Sequence, residues 1–205
     1  FYGKPRVDLA LLRQHSEGLI ALSACLAGEI PRRLRAGDYD GAKAYALELS
    51  GIFGPEHFYL ELQDHGIPEQ REVNRGLLRI AQETGLPLVA TNDAHYLTRE
   101  DSELQDVLLC IQTGKTLDDP NRMRFETQEF YLKSEDEMRA LFPALPEALE
   151  NTQRIADRCK VEFEFNHYHL PAFTPPDGSD SLTYFRRMCD EGFRERYPDA
   201  PAGYR

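Results

Sequence analysis

Short apolar runs alternate with amphipathic stretches through the first half of this 205-residue chain, and that alternation restricts its fold more than any other feature. Residues 19–23, 58–62 and 87–91 are compact runs dominated by apolar side chains, the composition of strands buried on both faces. Between the first two, Asp40 opens a helical stretch with Tyr45, Leu49, Ile52 and Phe53 at helical spacing, and Gly54-Pro55 breaks it. Between the second and third, Pro68 sits in a first helical turn, Val73, Leu77, Ile80 and Ala81 share one face, and Gly85 stops the helix. Strands joined through helices run parallel, with the helices laid on the sheet. The expected fold class is therefore α/β.

The flanking segments carry weaker signals. Asp8 is placed to cap a short helix bearing Leu11, Leu12 and His15, with Gly18 just past its end, and residues 26–35 suit another. Thr98 with Asp101, and Ser134 with Glu137, have capping-box spacing. The helix after Thr98 carries Leu104, Val107, Leu108 and Ile111, and Gly114 ends it. Residues 117–127 are polar and irregular, and 130–132 suit a short strand. Pro146 opens a helix whose expected stripe is Leu149, Thr152, Ile155, Ala156 and Cys159. Residues 161–165 alternate as a half-buried strand does. Pro171, Pro175, Pro176 and Gly178 mark a linker, followed by an amphipathic helix with Leu182, Phe185, Met188, Cys189 and Phe193.

Charge and cysteine usage narrow the function. Lys plus Arg number 24 against 35 Asp plus Glu, a net charge of −11, which argues against duplex binding by this piece alone. No apolar run approaches the roughly 18–20 residues of a membrane span. Cys25, Cys110, Cys159 and Cys189 form no CxxC pair, so a reduced, cytoplasmic chain is expected. It begins with Phe1 and no signal peptide, and residues 201–205 look cut, so a piece of something longer is expected.

Parallel strands bring the loops after them to one rim, where functional groups gather. These loops hold Ser23, Ala24 and Cys25, then Gln63, Asp64, His65 and Gly66, then Asn92, Asp93, Ala94 and His95. A thiolate, a carboxylate and an imidazole on one rim suit zinc or a related ion, which would activate water and polarise a phosphoryl oxygen. The competing readings are plain. A lone Cys25 is more often a small core residue than a ligand, and Asp-x-His after a strand also serves as loop capping. His65 reads first as part of an ordinary turn, His15 as surface, and His167 with His169 as structural or interfacial. Glu61 either faces a barrel interior, where it needs a partner, or reaches the polar rim. Cys110, Cys159 and Cys189 fall on helix stripes and read as core. Arg122, Arg124 and Lys133 suit a solvated loop better than a phosphate site. No P-loop, G-x-G-x-x-G or G-x-S-x-G occurs.

Residues 17–30 (EGLIALSACLAGEI), 58–66 (FYLELQDHG), 87–96 (PLVATNDAHY), 117–120 (LDDP) and 130–134 (FYLKS) carry a resemblance. In order and spacing they resemble the alpha subunits of bacterial replicative DNA polymerase III. The resembling region is the later part of the amino-terminal PHP domain (polymerase and histidinol phosphatase) and the passage toward the palm. The resemblance implies part of a distorted seven-stranded β/α barrel with a metal cluster on its C-terminal rim. It matches Cys25, Asp93 and His95 to metal ligands and His65 to none. It divides the chain into residues 1–115 (barrel part with the metal rim), 116–169 (flanking helices and strand), 170–181 (linker) and 182–205 (start of the palm region). The remaining PHP ligands are expected upstream of Phe1 and the polymerase carboxylates downstream of Arg205. The parent would synthesise DNA, while this segment would act as a scaffold or as part of a metal-dependent 3′–5′ exonuclease. A free-standing PHP phosphatase acting on a small phosphate ester is the alternative. Implied cofactors are zinc, or Mn or Mg, at the rim, with Mg in the polymerase site outside this chain. Implied partners are the rest of the alpha subunit, DNA through it, a proofreading exonuclease subunit and the sliding clamp.

Overall fold

The computed structural model describes residues 3, 6–168, 170–201, 203 and 204. It divides into two compact units, residues 1–160 and 161–205. In the first, helix α1 (Leu9–Gln14) begins where the Asp8 carboxylate accepts the Leu11 amide at 2.8 Å. Strand β1 (Ala21–Leu22), helices α2 (Glu29–Arg35) and α3 (Tyr39–Phe53), strand β2 (Phe58–Leu62), helix α4 (Pro68–Thr84) and strand β3 (Leu88–Ala90) follow. The sheet has the order β1-β2-β3 and is parallel throughout, pairing Ala21 with Phe58 and Leu60 with Leu88. The α/β expectation holds. β1 keeps only the Ala21–Leu22 part of its apolar run, and α3 is capped by Asp38 rather than Asp40, the Asp38 carboxylate accepting the Gly41 amide at 2.9 Å.

The core lies on the helix side of β2. Phe58, Leu60 and Leu62 pack into one buried cluster with Ile30, Ala42, Ala46, Val73, Leu77 and Ile80. Gly85, in the left-handed region at φ 72°, ends α4 and turns the chain into β3. After a 3-10 turn (Arg99–Asp101) come α5 (Ser102–Thr113), α6 (Glu135–Leu141) and α7 (Pro146–Arg158). Both capping boxes form as expected, at Thr98/Asp101 and Ser134/Glu137.

Several expectations are corrected. In α5 the buried residues are Leu109 and Cys110, while Leu104 and Ile111 are 64% and 72% exposed, so the expected stripe faces away from this unit's core. In α7 the fully buried positions are Ala148 and Asn151; of the expected stripe Leu149 packs partly against the core and Ile155 is half-buried, while Thr152, Ala156 and Cys159 are exposed. The Asn151 amide donates to the Leu88 carbonyl at 2.7 Å, so a polar side chain fixes α7 to β3. Arg158 ends α7 by donating to the Glu56 carbonyl and to the Tyr59 hydroxyl, at 2.7 and 3.2 Å. Residues 130–132 form a single parallel bridge, Tyr96 with Tyr131, rather than a strand. Cys159 and Cys189 are exposed; only Cys110 is core.

In the second unit, residues 161–165 form no strand, and Val161, Phe163 and Phe165 are exposed. Alternation without a neighbouring strand has nothing to pair with. Helix α8 (Ser181–Arg196) starts where Asp180 accepts the Leu182 and Thr183 amides at 3.1 and 3.0 Å. The proline-rich stretch folds back on it through Phe173 against Tyr184, ring centres 5.7 Å apart, and Arg187 with Asp177 at 2.6 Å. His167 approaches Glu164 at 3.1 Å; His169 lies outside the described residues. Among the described residues no helix is long and apolar enough to cross a membrane.

Candidate functional site

The loops after β1, β2 and β3 meet at the C-terminal edge of the sheet, and Glu61 ties them together. Its side chain leaves β2 on the face opposite the apolar core residues Leu60 and Leu62. One carboxylate oxygen accepts the Ala24 amide at 3.0 Å. The other accepts the Gln63 amide at 3.1 Å and the Thr91 hydroxyl. The Ser23 hydroxyl accepts the Glu61 backbone N–H at 2.8 Å. Ala24 stands at φ 65°, the left-handed turn that aims its N–H at the carboxylate. Glu61 thus points away from the helix side of the sheet and finds its partners on all three post-strand loops.

Cys25 follows on the same loop and is half-buried. With Glu61, Gln63, Gln70 and Asn74 it lines a cavity of about 10 Å³. Gln63 is buried, its Nε2 is taken by Glu61 and Thr91, and its Oε1 has no hydrogen-bond donor among the described residues. Apolar Leu26, Pro31 and Val73 line the cavity as well, and Gln63 Oε1 remains open to a hydrogen-bond donor.

Asp93 and His95 lie on the loop after β3. Asp93 has φ 44°, uncommon for a residue with a Cβ. The His95 Nδ1–H donates to the Asp93 carbonyl at 2.8 Å, and the Asp93 carboxylate stands 4.0 Å from the same nitrogen. That assignment puts the ring proton on Nδ1 and leaves Nε2 with its lone pair, the arrangement found at metal-ligating imidazoles. Both side chains are about one-third exposed, 34% for Asp93 and 36% for His95. Phe125 and Phe130 meet the His95 ring edge-on at 4.8 and 5.6 Å and limit its rotation.

His65, expected in an ordinary turn, is completely buried instead. Its ring stacks on Phe130 with centres 4.1 Å apart and planes 6° apart. Nδ1 faces the Gln70 amide at 2.8 Å, and Nε2 faces the Asn92 carbonyl. The expected solvated loop is corrected too. Arg122 is paired with Asp106 through both guanidinium nitrogens, and the Lys133 amine is buried against the Glu129 carbonyl and the Tyr131 ring. Burial pushes the Lys133 pKa down. Arg124 alone of the three is exposed.

The structure thus brings Asp93 and His95 together and sets Cys25 in a neighbouring recess. Among the described residues no three His, Cys, Asp or Glu side chains are grouped to hold a metal ion. Cys25, Asp93 and His95 carry a thiol, a carboxylate and an imidazole, donor types that suit a divalent metal.

The first 65 residues match the PHP domain family. Over 96% of the chain it is 46% identical to the DNA polymerase III subunit alpha of Treponema pallidum, and over 97% it is 44% identical to that of Thermus aquaticus. The chain is a relative of the DNA polymerase III alpha subunits. The same subunit of Mycobacterium tuberculosis is 41% identical over 98% of the chain. The chain spans about 17% of the length of each of these alpha subunits. The alignment runs on beyond the PHP match, as expected from the quoted motifs for a segment of an alpha subunit.

The decisive residues outside the three candidates were Glu61, His65, Gln63, Gln70 and Thr91. Glu61 and Gln63 had a signal: two polar side chains at period two, leaving an otherwise apolar strand on one face. Gln70 had a fainter one, a Gln in the first turn of a helix whose preceding Ile67 offers no capping oxygen.

Proposed function

We propose that this chain is the later PHP segment of a DNA-synthesising alpha subunit and supplies Cys25, Asp93 and His95 to a divalent metal site on the barrel rim. The observation that carries this reading is the Asp93–His95 pair, with the ring proton committed to the Asp93 carbonyl and Nε2 left as a donor. Zinc is the first candidate, with Mn or Mg as alternatives, because the donors mix S, N and O. When bound, such a metal supplies Lewis acidity toward a phosphodiester and a bound water of lowered pKa. The chain's own residues hold the geometry. Glu61 joins the three loops, Gln63 Oε1 is left to accept a hydrogen bond in the recess, and Phe125 and Phe130 hold the His95 ring.

In this reading the sheet is part of a seven-stranded β/α barrel. Residues 1–115 form barrel and rim, 116–169 flank it, 170–181 link, and 182–205 begin the palm region. The other ligands come from elsewhere in the longer polypeptide, as do the carboxylates that bind Mg for DNA synthesis. Because two and one donors close no shell, this segment acts first as a scaffold within the alpha subunit. It shares the 3′–5′ exonuclease or phosphoesterase chemistry only when the shell is complete. The partners are then the rest of the alpha subunit, DNA through it, a proofreading exonuclease subunit and the sliding clamp.

The test is elemental analysis of the full-length polypeptide beside a Cys25→Ala, Asp93→Ala, His95→Ala triple variant, with hydrolysis of single-stranded DNA followed in parallel. Divalent metal in the parent and its loss in the variant are expected. A metal-free parent overturns the reading. A free-standing phosphatase would instead hydrolyse small phosphate esters and leave DNA intact.

A further inference from the structure

The most buried imidazole of the rim, His65, lies outside the proposed ligand set. His65 is 0% exposed, and an imidazole buried that completely requires partners for both ring nitrogens. Both have them. Gln70 Oε1 accepts the His65 backbone N–H at 2.7 Å, so the other end of that amide, the NH₂, faces His65 Nδ1 at 2.8 Å. Nδ1 is therefore an acceptor, the ring proton resides on Nε2, and the Asn92 carbonyl accepts it. Phe130, stacked on the ring, fixes its tilt. The Thr127 hydroxyl donates to the His65 carbonyl at 2.7 Å and anchors its backbone.

What this ring holds is the peptide plane between Asn92 and Asp93. The carbonyl of Asn92 and the amide of Asp93 belong to one rigid unit. Fixing that carbonyl fixes the plane from which Asp93 turns through its φ of 44°. A residue with a Cβ stays at such a φ only where its surroundings hold it there. The other side of the loop is held from the same segment: the His95 amide donates to the Phe130 carbonyl at 2.7 Å, and the Asn92 side chain donates to the Tyr131 carbonyl. Phe130 thus touches both sides of the site, its ring on His65 and its carbonyl on His95.

We infer that His65 is a positioning residue for the metal site, acting through the Asn92 carbonyl to hold the Asp93 carboxylate where it ligates. It is not itself a ligand, since both nitrogens are engaged within the protein. This inference rests on the proposed metal role of Asp93 and His95.

The test compares variants of the full-length polypeptide by calorimetric titration with Zn²⁺ and with Mn²⁺, each beside its metal-free melting curve. His65→Phe keeps the stacked ring and removes the donor. His65→Asn also lacks a donor long enough to reach Asn92. His65→Gln restores an N–H at the Nε2 position. The Phe and Asn variants are expected to bind metal about 10–100-fold more weakly, the usual cost of losing a group that orients a ligand. The Gln variant is expected to recover most of that loss even where its melting temperature falls as far as theirs. Parent-like affinity in the Phe and Asn variants overturns the inference, as does a Gln variant that binds as weakly as they do. Loss of folding in all three assigns His65 to the core alone and overturns it as well. Asp93→Ala is the control for the underlying reading: if it leaves metal affinity unchanged, the metal reading fails whatever His65 does.

Discussion

The backbone N–H of Ala24 donates to the carboxylate of Glu61 at 3.0 Å, and so couples the loop after β1 to the middle of the rim. The same carboxylate takes the Gln63 amide and the Thr91 hydroxyl. Glu61→Gln keeps the size and replaces one acceptor oxygen with a donor, leaving some of these N–H and O–H groups facing another donor. Each unsatisfied group costs about 1–3 kcal/mol. A loss of that order is expected in urea unfolding, together with weaker metal binding. Unchanged stability would mean that the three loops hold their positions without this carboxylate.

Gly28 caps α2 where the chain turns back under Ser23 and Cys25. A Cβ at this position would lie 2.5 Å from the Ser23 carbonyl oxygen and 3.1 Å from that of Cys25. Both neighbours are backbone, so the loop itself must move. Gly28→Ala is expected to cost about 1–3 kcal/mol, the range for overpacking. It should also speed alkylation of the half-buried Cys25, followed by mass spectrometry of the labelled peptide. Parent-like labelling would show that the loop absorbs the methyl group without shifting.

Glu83, on α4, accepts from Tyr39 and Lys43 of α3 and from Arg79 of its own helix, at 2.9, 2.8 and 2.8 Å. Hydrogen bonds from Lys43, Arg79 and Tyr39, in that order, hold its carboxyl down at about 2. An unfolded Glu titrates near about 4.3, so the folded state binds the proton less tightly. The stabilisation is therefore present above about pH 5 and is lost as pH falls toward 2. Glu83→Gln is expected to flatten this part of the stability–pH curve relative to the parent. Equal slopes for both proteins between pH 5 and 2 would contradict the α3–α4 clasp.

The corrected face of α5 separates two leucine-type substitutions. Leu109 is buried and Ile111 is 72% exposed. Leu109→Ala is expected to destabilise this chain by about 2–5 kcal/mol, and Ile111→Ala by no more than about 0.5 kcal/mol. Chemical denaturation of the two variants reads the difference, and equal losses would restore the stripe expected from periodicity.

Much of the scaffold was legible because local and tertiary preferences agree there. β2 matched its apolar run residue for residue, and α4 began at Pro68 and stopped before Gly85 as expected. The misreadings share a cause. Apolar spacing in α5 and α7 marks a face that some neighbour covers, but not which neighbour, and in this chain the covered faces are set by Leu109, Cys110, Ala148 and Asn151. Asn151 has no local signal, because its buried amide is satisfied by a carbonyl 63 residues away. The burial of His65 is invisible in the sequence for the same reason. Its loop looks like any polar turn until Phe130, distant in sequence, closes over the ring. Asp93 and His95 were readable because their relation is local, whereas the place of Cys25 depends on loops from three strands.

The order β1-β2-β3 in space is also the order along the chain. Each strand can therefore dock on its predecessor as the polypeptide leaves the ribosome, without waiting for a later one to insert between them. The outer edge of β3 is covered late, because Asn151 of α7 reaches the Leu88 carbonyl only after some sixty further residues have been made. At synthesis rates of about 5–20 residues per second, that leaves an interval of seconds in which a short apolar strand has an open edge. Slowing translation between β3 and α7 would prolong that interval.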